Sequence, residues 1–157
     1  MIKINVVAVG KVKEKYFKDG IDEYAKRIGR YADFSVTEIG EENYKDPTDG
    51  EIATIKEKEG EKILPHLNGY IIAMAIEGEK ADSVKFAKKI KDLECKGVSK
   101  ITFIIGGSYG LSDKVKKSAD MLLSFSDLTF PHTLFRLITI EQIYRAFTII
   151  NGTKYHK

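Results

Sequence analysis

The chain has 157 residues, of which 43% are hydrophobic and 31% charged, a composition typical of a globular protein. Its 26 lysines and arginines stand against 23 aspartates and glutamates, and the net charge of +3 is too small to indicate a protein that coats nucleic acid. This length fits one domain over residues 1–157 and excludes a second catalytic domain, so a partner subunit could supply part of a site.

Runs rich in β-branched residues alternate with helical patterns, which indicates an α/β fold with a mainly parallel sheet flanked by helices. The runs 71–74 and 103–105 are apolar on both faces and are expected in the middle of the sheet, whereas the polar segment 40–50 predicts a mobile surface loop. In chain order we predict strand 2–9, helix 14–28, strand 34–39, helix 51–64, strand 70–76, helix 83–94, strand 100–105, helix 112–119, strand 121–124 and helix 132–150.

The last predicted helix carries more apolar residues than one face can bury. One side can cover the sheet, but the other would remain an exposed apolar patch unless a second chain covers it. We therefore predict a homodimer formed across this helix. The apolar residues are Leu134, Phe135, Leu137, Ile138, Ile140, Ile143, Tyr144, Phe147, Ile149 and Ile150.

Three predicted strands end in segments suited to a ligand pocket, as is common in open α/β sheets. One strand runs into the glycine-rich turn 106–111, a second ends at 74–79, and a third leads through 123–132 to the last helix. The turn lacks the Gly-Lys-Ser/Thr of a phosphate-binding loop and is a tight turn as often as a binding loop. Phe125, Leu128 and Phe130 suit the ring of an adenosine-type ligand, although each fits a core position equally well.

Several basic and titratable residues are candidates for contact with a nucleic acid. His132 and Arg136 are four residues apart and share a helix face, although a helix-capping histidine and a surface ion pair are the simpler interpretation. The closing run 155–157 combines an aromatic ring, an imidazole and a cation, which suits base stacking and phosphate contact. A cluster of lysines near the start suits phosphates or a solvated helix face, and its members are Lys11, Lys13, Lys15 and Lys18.

The cysteine and hydropathy patterns bear on location and on metals. The single cysteine, Cys95, cannot form an internal disulfide, and no stretch approaches the roughly 18 apolar residues of a membrane-spanning helix. We therefore expect a cytoplasmic protein that does not associate with membranes. No Cys/His spacing is typical of a metal site, so no metal is expected.

Six motifs follow one another along nearly the whole chain, and their order is far more specific than any one of them. They are Val9-Gly10-Lys11, Ile104-Ile105-Gly106-Gly107-Ser108-Tyr109-Gly110-Leu111, Leu123-Ser124-Phe125-Ser126, Thr129-Phe130-Pro131-His132, Glu141-Gln142-Ile143-Tyr144-Arg145-Ala146 and Tyr155-His156-Lys157. The set closely resembles the ribosomal RNA large subunit methyltransferase H family. The resemblance implies a SPOUT-type α/β fold whose C-terminal part threads a trefoil knot, with the cofactor in the loops of the knot.

The same resemblance implies a reaction and a set of site residues. The methyl group of S-adenosyl-L-methionine would be moved to N3 of a pseudouridine in 23S rRNA, within the assembled ribosome. Carried over by motif, the target base is met by His132 and Arg136 of one subunit and by Tyr155, His156 and Lys157 of the other, which forms a composite catalytic site. The implied cofactor contacts are Met74, Gly106, Phe125, Ser126, Asp127, Leu128, Thr129 and Phe130.

The sequence departs from the family pattern at two places. The first loop has Met74 and Ala75 where relatives often have leucine and an acidic residue, although Glu77 stands nearby. Asp127 introduces a carboxylate into the cofactor loop, and we expect its side chain to face away from the ligand.

Two other classes of protein remain as alternatives. A nucleotide-binding hydrolase or regulator could use the glycine-rich turn for phosphates, but the sequence lacks a catalytic lysine or a metal-ligand set. A non-catalytic RNA-binding module would bind ribosomes without affinity for the cofactor.

Overall fold

Five strands form one parallel sheet in the computed structural model, which describes residues 1–157. In chain order the elements are β1 Ile2–Val9, α1 Lys15–Ile28, β2 Ala32–Ile39, α2 Asp49–Ile63, a short 3-10 turn Leu64–His66, β3 Tyr70–Lys80, α3 Ser83–Cys95, β4 Lys100–Ile105, α4 Asp113–Ser118, β5 Met121–Ser124 and α5 His132–Ile150. The strand order is β2-β1-β4-β3-β5, and every neighbouring pair is parallel. The predicted α/β class is therefore confirmed, while the knotted threading stays a prediction.

Most predicted elements are confirmed within two residues of their ends, and the largest difference is in β3. This strand continues to Lys80 because it pairs with β5 twice, through Met74 and again through Glu79, both opposite Leu123. The residues between these two pairings form a bulge. The bulge turns residues 75–78 out of the ladder, at the carboxyl end of the sheet.

Helix α2 begins earlier than predicted because Thr48 caps it. The Thr48 hydroxyl accepts a hydrogen bond from the backbone N–H of Glu51, and the Glu51 carboxylate accepts one from the N–H of Thr48. This capping box satisfies two of the backbone donors that a helix start leaves free. The predicted loop 40–50 therefore ends at Thr48, and its mobility stays a prediction.

The sheet is covered by helices on both faces. α1, α3 and α5 pack over one face, and Phe86, Phe103 and Phe147 are fully buried there. α2 and α4 cover the other face, over a smaller cluster that includes Ile63 and Val115. Strands β1, β4 and β3 are thus apolar on both sides, as the runs at 71–74 and 103–105 predicted.

Helix α5 lies between α1 and α3, so more of its apolar surface is covered within the chain than the sequence suggested. Leu134 and Ile138 are half-buried and belong to neither core cluster. With Glu141 and Arg145 they follow the spacing of one stripe along the helix. A second chain covering this stripe is still a prediction. None of the helices is long and apolar enough to cross a membrane.

Candidate active site

The carboxyl ends of β3, β4 and β5 open into one cavity of about 290 Å³. The three segments singled out in the sequence all line it: the bulge of β3, the glycine-rich turn after β4 and the loop after β5. The structure thus brings together residues far apart in the chain, at the sheet edge where open α/β proteins bind ligands. The predicted site residues that line the cavity are Met74, Gly106, Phe125, Ser126, Leu128, Thr129, Phe130 and His132.

The glycine-rich turn is closed on itself as well as lining the cavity. The Gly110 N–H donates to the Gly107 carbonyl at 3.1 Å, and the two residues form a β-bridge. A Cβ atom on Gly106 would lie 2.8 Å from the carbonyl carbon of Gly110, so no other residue fits there without moving the backbone. Because Gly106 and Gly107 have no side chains, neighbouring backbone and side-chain atoms of the protein can approach them closely.

Aromatic rings form the apolar wall of the cavity. The rings of Phe130 and Phe135 are stacked with centroids 6.2 Å apart, and Phe125 lies 6.0 Å from Phe135. Phe125 also packs edge-on against the buried Phe86, which fixes it to the core. Leu128 is 68% exposed at the mouth. This wall offers an apolar slot for a flat ring.

The hydroxyls of two serines shape the loop after β5. The Ser124 hydroxyl donates to the carbonyl of Ser126 at 3.1 Å, and the Ser126 hydroxyl accepts from the N–H of Leu128 at 2.9 Å. Asp127 is the one predicted cofactor contact that does not line the cavity. Its exposed side chain pairs with Lys80, so it faces away as expected.

The opposite side of the cavity is charged. Glu77 from the β3 bulge and Lys116 from α4 form an ion pair with a 2.6 Å separation, and Lys56 from α2 also lines the cavity. The hydrogen bond from Lys116 holds the pKa of Glu77 below its usual value. Sequence reasoning missed both lysines because each stands among other charged residues of a helix, and no local signal separates it from a solvated face.

His132 stands at the rim of the cavity, against the loop that follows β1. Gly10 has a φ of +97°, and a Cβ atom there would lie 3.1 Å from the Nε2 atom of His132. Glycine is thus required both by the backbone conformation and by the approach of the imidazole. Lys11 and Lys13 follow, and both side chains are exposed. The basic segment therefore begins next to the histidine at the mouth of the cavity.

Arg136 lies one turn further along α5, but its guanidinium does not reach the cavity. It is 2% exposed, and its Nη1 atom is 2.6 Å from the Glu38 carboxylate. Its Nη2 atom donates to the Gly10 carbonyl at 2.8 Å. In this structure Arg136 therefore holds the ends of β1 and β2 against α5 through a buried guanidinium, rather than forming a surface ion pair.

The C-terminal tail folds back on α5. The Tyr155 hydroxyl donates to Glu141 at 3.0 Å, its ring lies 4.7 Å from the Arg145 guanidinium carbon, and Arg145 donates to His156 at 3.2 Å. Burial, together with hydrogen bonds to Tyr24 and Glu141, raises the pKa of the Tyr155 phenol. Because Glu141 is nine residues after His132, the tail is held about 13 Å along the helix from the cavity rim. Tyr155, His156 and Lys157 do not line the cavity.

Glu59 lies behind the glycine-rich turn and was also missed from the sequence. It is 3% exposed, and its Oε1 atom would be 3.2 Å from a Cβ atom on Gly107. It accepts a hydrogen bond from the N–H of Glu42 at 3.0 Å. Burial raises the pKa of the Glu59 carboxyl, and the hydrogen bond from Glu42 opposes this only in part.

Comparison with known proteins assigns the family. The family model described as predicted SPOUT methyltransferase matches residues 2–156. The ribosomal RNA large subunit methyltransferase H of Streptococcus thermophilus is 52% identical over 159 residues, which cover 99% of this chain and 100% of the relative. The protein of the same name from Limosilactobacillus reuteri is 50% identical over the same shares. The chain belongs to the SPOUT methyltransferase family. Within it, the full-length relatives assign the chain to the large subunit methyltransferase H group.

Solved structures share the fold of this chain. A probable methylase family protein from Haemophilus influenzae matches all of this chain and 72% of its own length with a TM-score of 0.56 and 12% identity. The tRNA (m1G37) methyltransferase of Aquifex aeolicus matches 91% of this chain and 69% of its own length, with a TM-score of 0.50 and 15% identity. At these identities the likeness concerns the fold alone. In the SPOUT chain described here, no group of three or more histidine, cysteine, aspartate or glutamate side chains is arranged to hold a metal ion.

Proposed function

We propose that this protein methylates large-subunit ribosomal RNA, and specifically N3 of a pseudouridine in 23S rRNA of the assembled ribosome, with S-adenosyl-L-methionine as the methyl donor. The observation that carries the proposal is the cavity at the carboxyl ends of β3, β4 and β5, in a chain about half identical to large subunit methyltransferases H over its whole length. The rRNA is taken from the names of those relatives, and the cofactor and the target atom from the family resemblance.

The residues around the cavity fit the proposed cofactor. An adenine ring needs an apolar slot, which Phe130 and Phe135 provide, and the volume of about 290 Å³ is close to the lower end of ligand pockets in proteins. The methionine part of the cofactor carries an ammonium and a carboxylate, and the cavity has both acidic and basic side chains on its other side. Met74 and Gly106 also line the cavity.

The chemical demands on the protein are modest. When bound, S-adenosylmethionine supplies a methyl group on a good leaving group, so the protein must mainly hold the acceptor nitrogen in line with it. N3 of the base also carries a proton, which must leave as the N–C bond forms. His132 at the cavity rim, or His156 of a second copy, is the proposed general base that accepts this proton. The positive charge of Lys157 would stabilise the resulting nucleobase anion, whereas Arg136 is held away from the cavity by Glu38 and Gly10.

A homodimer would explain how the tail takes part. In its own chain the tail is held about 13 Å along α5 from His132. We therefore propose that Tyr155, His156 and Lys157 act at the cavity of a second copy. The stripe of Leu134 and Ile138, which leads to the tail, is the surface that we propose the second copy covers. The tail would then leave one subunit at the edge of the other's cavity.

Mixing two inactive variants tests the shared site. A His132→Ala protein keeps its tail, and a protein ending at Lys154 keeps its cavity, so each homodimer should be inactive. Refolding an equal mixture should give one working site in each heterodimer, and about a quarter of wild-type activity is expected. Activity no greater than the sum of the two separate variants would contradict the composite site. The matched control adds Lys117→Ala to the His132→Ala protein before mixing it with the tailless protein. This change should leave the restored activity unaltered, since Lys117 is exposed and outside the cavity.

The activity itself is tested with ribosomes from cells that lack this modification. Incubation with radiolabelled S-adenosylmethionine should place the label on one nucleotide of 23S rRNA, and mapping should identify it as a pseudouridine methylated at N3. Label on free rRNA but not on ribosomes would contradict the proposed substrate. Calorimetry separates the alternatives, because the proposed enzyme binds S-adenosylmethionine without Mg²⁺ whereas a nucleotide hydrolase would prefer a nucleoside triphosphate with it.

A further inference from the structure

The charged side of the cavity contains side chains that have not yet been assigned to particular groups of the cofactor. Resting on the proposed use of S-adenosylmethionine, we propose that Glu77, Lys116 and Lys56 form the subsite for the amino-acid end of the cofactor. Glu77 binds the α-ammonium group, and the two lysines bind the α-carboxylate. These residues would thereby fix which way the cofactor lies in the cavity.

Three separate elements bring these side chains to one place. Glu77 is carried by the bulge of β3, Lys116 by the end of α4 and Lys56 by the middle of α2. All three line the same cavity, and the Lys116 Nζ and Glu77 Oε1 atoms are 2.6 Å apart. The hydrogen bond from Lys116, with smaller contributions from a backbone hydrogen bond and from the charge of Lys56, holds the pKa of Glu77 below its usual value. The arrangement is thus one anion flanked by two cations at the edge of a cavity.

An α-amino acid group is the chemical complement of this arrangement. At neutral pH its carboxylate is ionised, and its ammonium is largely protonated. A zwitterion placed against Glu77 and Lys116 gives each charge an opposite partner and leaves none of the four unpaired. The aromatic wall at Phe130 and Phe135 is left for the adenine ring, so the two ends of the ligand meet surfaces of different character.

The ion pair is exposed enough to open for a ligand. The side chains of Lys116 and Glu77 are 25% and 56% exposed, so water already competes with their contact. Exchange of the Glu77–Lys116 ion pair for two ion pairs with the ligand, one from each side chain, therefore favours binding. Glu79 and Lys117 are the matched neighbours of this pair, since they are exposed charges on the same elements but do not line the cavity.

Calorimetry with two thioether ligands tests the subsite without any methyl transfer. S-adenosylhomocysteine and 5′-methylthioadenosine share the adenosine and the sulfur, but only the first has the amino-acid end. We expect Lys116→Met and Glu77→Gln each to weaken binding of S-adenosylhomocysteine about tenfold, as expected for loss of one charged contact. Binding of methylthioadenosine should be unchanged within about twofold. The controls Lys117→Met and Glu79→Gln should bind both ligands as the wild type does.

The possible outcomes separate the subsite from the proposed function. Wild-type binding of both ligands with no selective loss in the variants overturns the subsite and leaves the methyltransferase proposal intact. Equal weakening of both ligands also overturns it, because the charges would then support the cavity rather than the amino-acid end. Failure of the wild type to bind S-adenosylmethionine overturns both proposals.

Salt titration of the unmodified protein gives a second measurement that does not depend on the folding of any variant. Raising NaCl from about 0.05 M to about 0.5 M should weaken S-adenosylhomocysteine more than methylthioadenosine. An identical salt response of the two ligands would count against the subsite.

Discussion

Replacing Arg136 by methionine tests the bonding of this buried guanidinium. Methionine fills a similar volume, so the main loss is the bond to Glu38 at 2.6 Å and the bond to the Gly10 carbonyl at 2.8 Å. The Glu38 side chain is 44% exposed, so its carboxylate regains water and does not carry the full penalty of a buried charge. The buried Gly10 carbonyl loses a charged donor. We expect a loss of about 2–4 kcal/mol in the free energy of unfolding, most of it from that carbonyl.

Urea unfolding of matched variants measures this loss. For a chain of this size, Arg136→Met should also lower the midpoint of thermal unfolding by roughly 5–15 °C. Arg136→Lys keeps the charge but cannot serve Glu38 and Gly10 together, so about half of the loss is expected. Glu38→Gln keeps an acceptor oxygen but leaves the buried guanidinium, 3% exposed, without its counter-charge, so a loss of about 2–4 kcal/mol is expected here as well.

Two results would refute this reasoning about Arg136. An unfolding free energy of Arg136→Met within about 0.5 kcal/mol of the wild type would show that the guanidinium is not held as described. A Glu38→Gln protein within about 0.5 kcal/mol of the wild type would show that the buried guanidinium does not depend on the Glu38 carboxylate. Methylation assays on the folded fraction add a separate readout. Loss of kcat at full folding would indicate that Arg136 also acts on the RNA base.

Three further predictions concern the proposed RNA-binding surface, a buried acid and the proposed dimer. Replacing Lys11 and Lys13 together by glutamine should weaken ribosome binding and lower its salt slope by about two, and an unchanged slope would exclude phosphate contacts there. Burial raises the pKa of Glu59 in the folded protein, so the folded form holds its proton at pH values where the unfolded form has lost it. Wild-type stability therefore falls as the pH rises from the unfolded pKa of this carboxyl through its folded pKa. Glu59→Gln keeps the acceptor for Glu42 and should gain stability over the wild type with rising pH, whereas a constant difference in urea unfolding would contradict this. Ile138→Asp should give a monomeric mass in light scattering with little change in unfolding, and a dimeric mass would place the interface elsewhere.

The order and type of the elements could be predicted because each depends on local periodicity. Strand 100–105 is apolar on both faces, and helix 132–150 has a dense apolar pattern; both are confirmed to the residue. The extension of β3 to Lys80 could not be predicted, because Glu77-Gly78-Glu79 looks like a polar loop. Its pairing depends on β5, more than 40 residues away in the chain. A Cβ atom on Gly78 would lie 2.7 Å from the backbone of β5, a requirement that only the folded chain reveals.

The candidate site was likewise predictable from the sequence only in part. Its loops could be predicted because the ends of parallel strands meet at one edge of the sheet, and they do line one cavity. Its charged residues Lys56, Lys116 and Glu59 could not, because each stands among other charged residues of its helix and nothing in the sequence sets it apart from them. Arg136 was expected on the same helix face as His132 from their spacing, yet its bonds to Glu38 and Gly10 depend on the ends of two strands that lie 98 and 126 residues earlier.

Gly10 connects the RNA-binding proposal to the cofactor cavity. Its Cα lies against the imidazole of His132, and its carbonyl accepts from Arg136. Lys11, the next residue, is exposed and is the first cation of the basic segment. A phosphate bound at Lys11 would therefore lie one residue from the backbone that sets the position of His132. Because that backbone is fixed to α5 by a buried guanidinium, RNA bound at this segment would meet an imidazole that is already positioned at the cavity rim, and little reorganisation would remain for the transfer step.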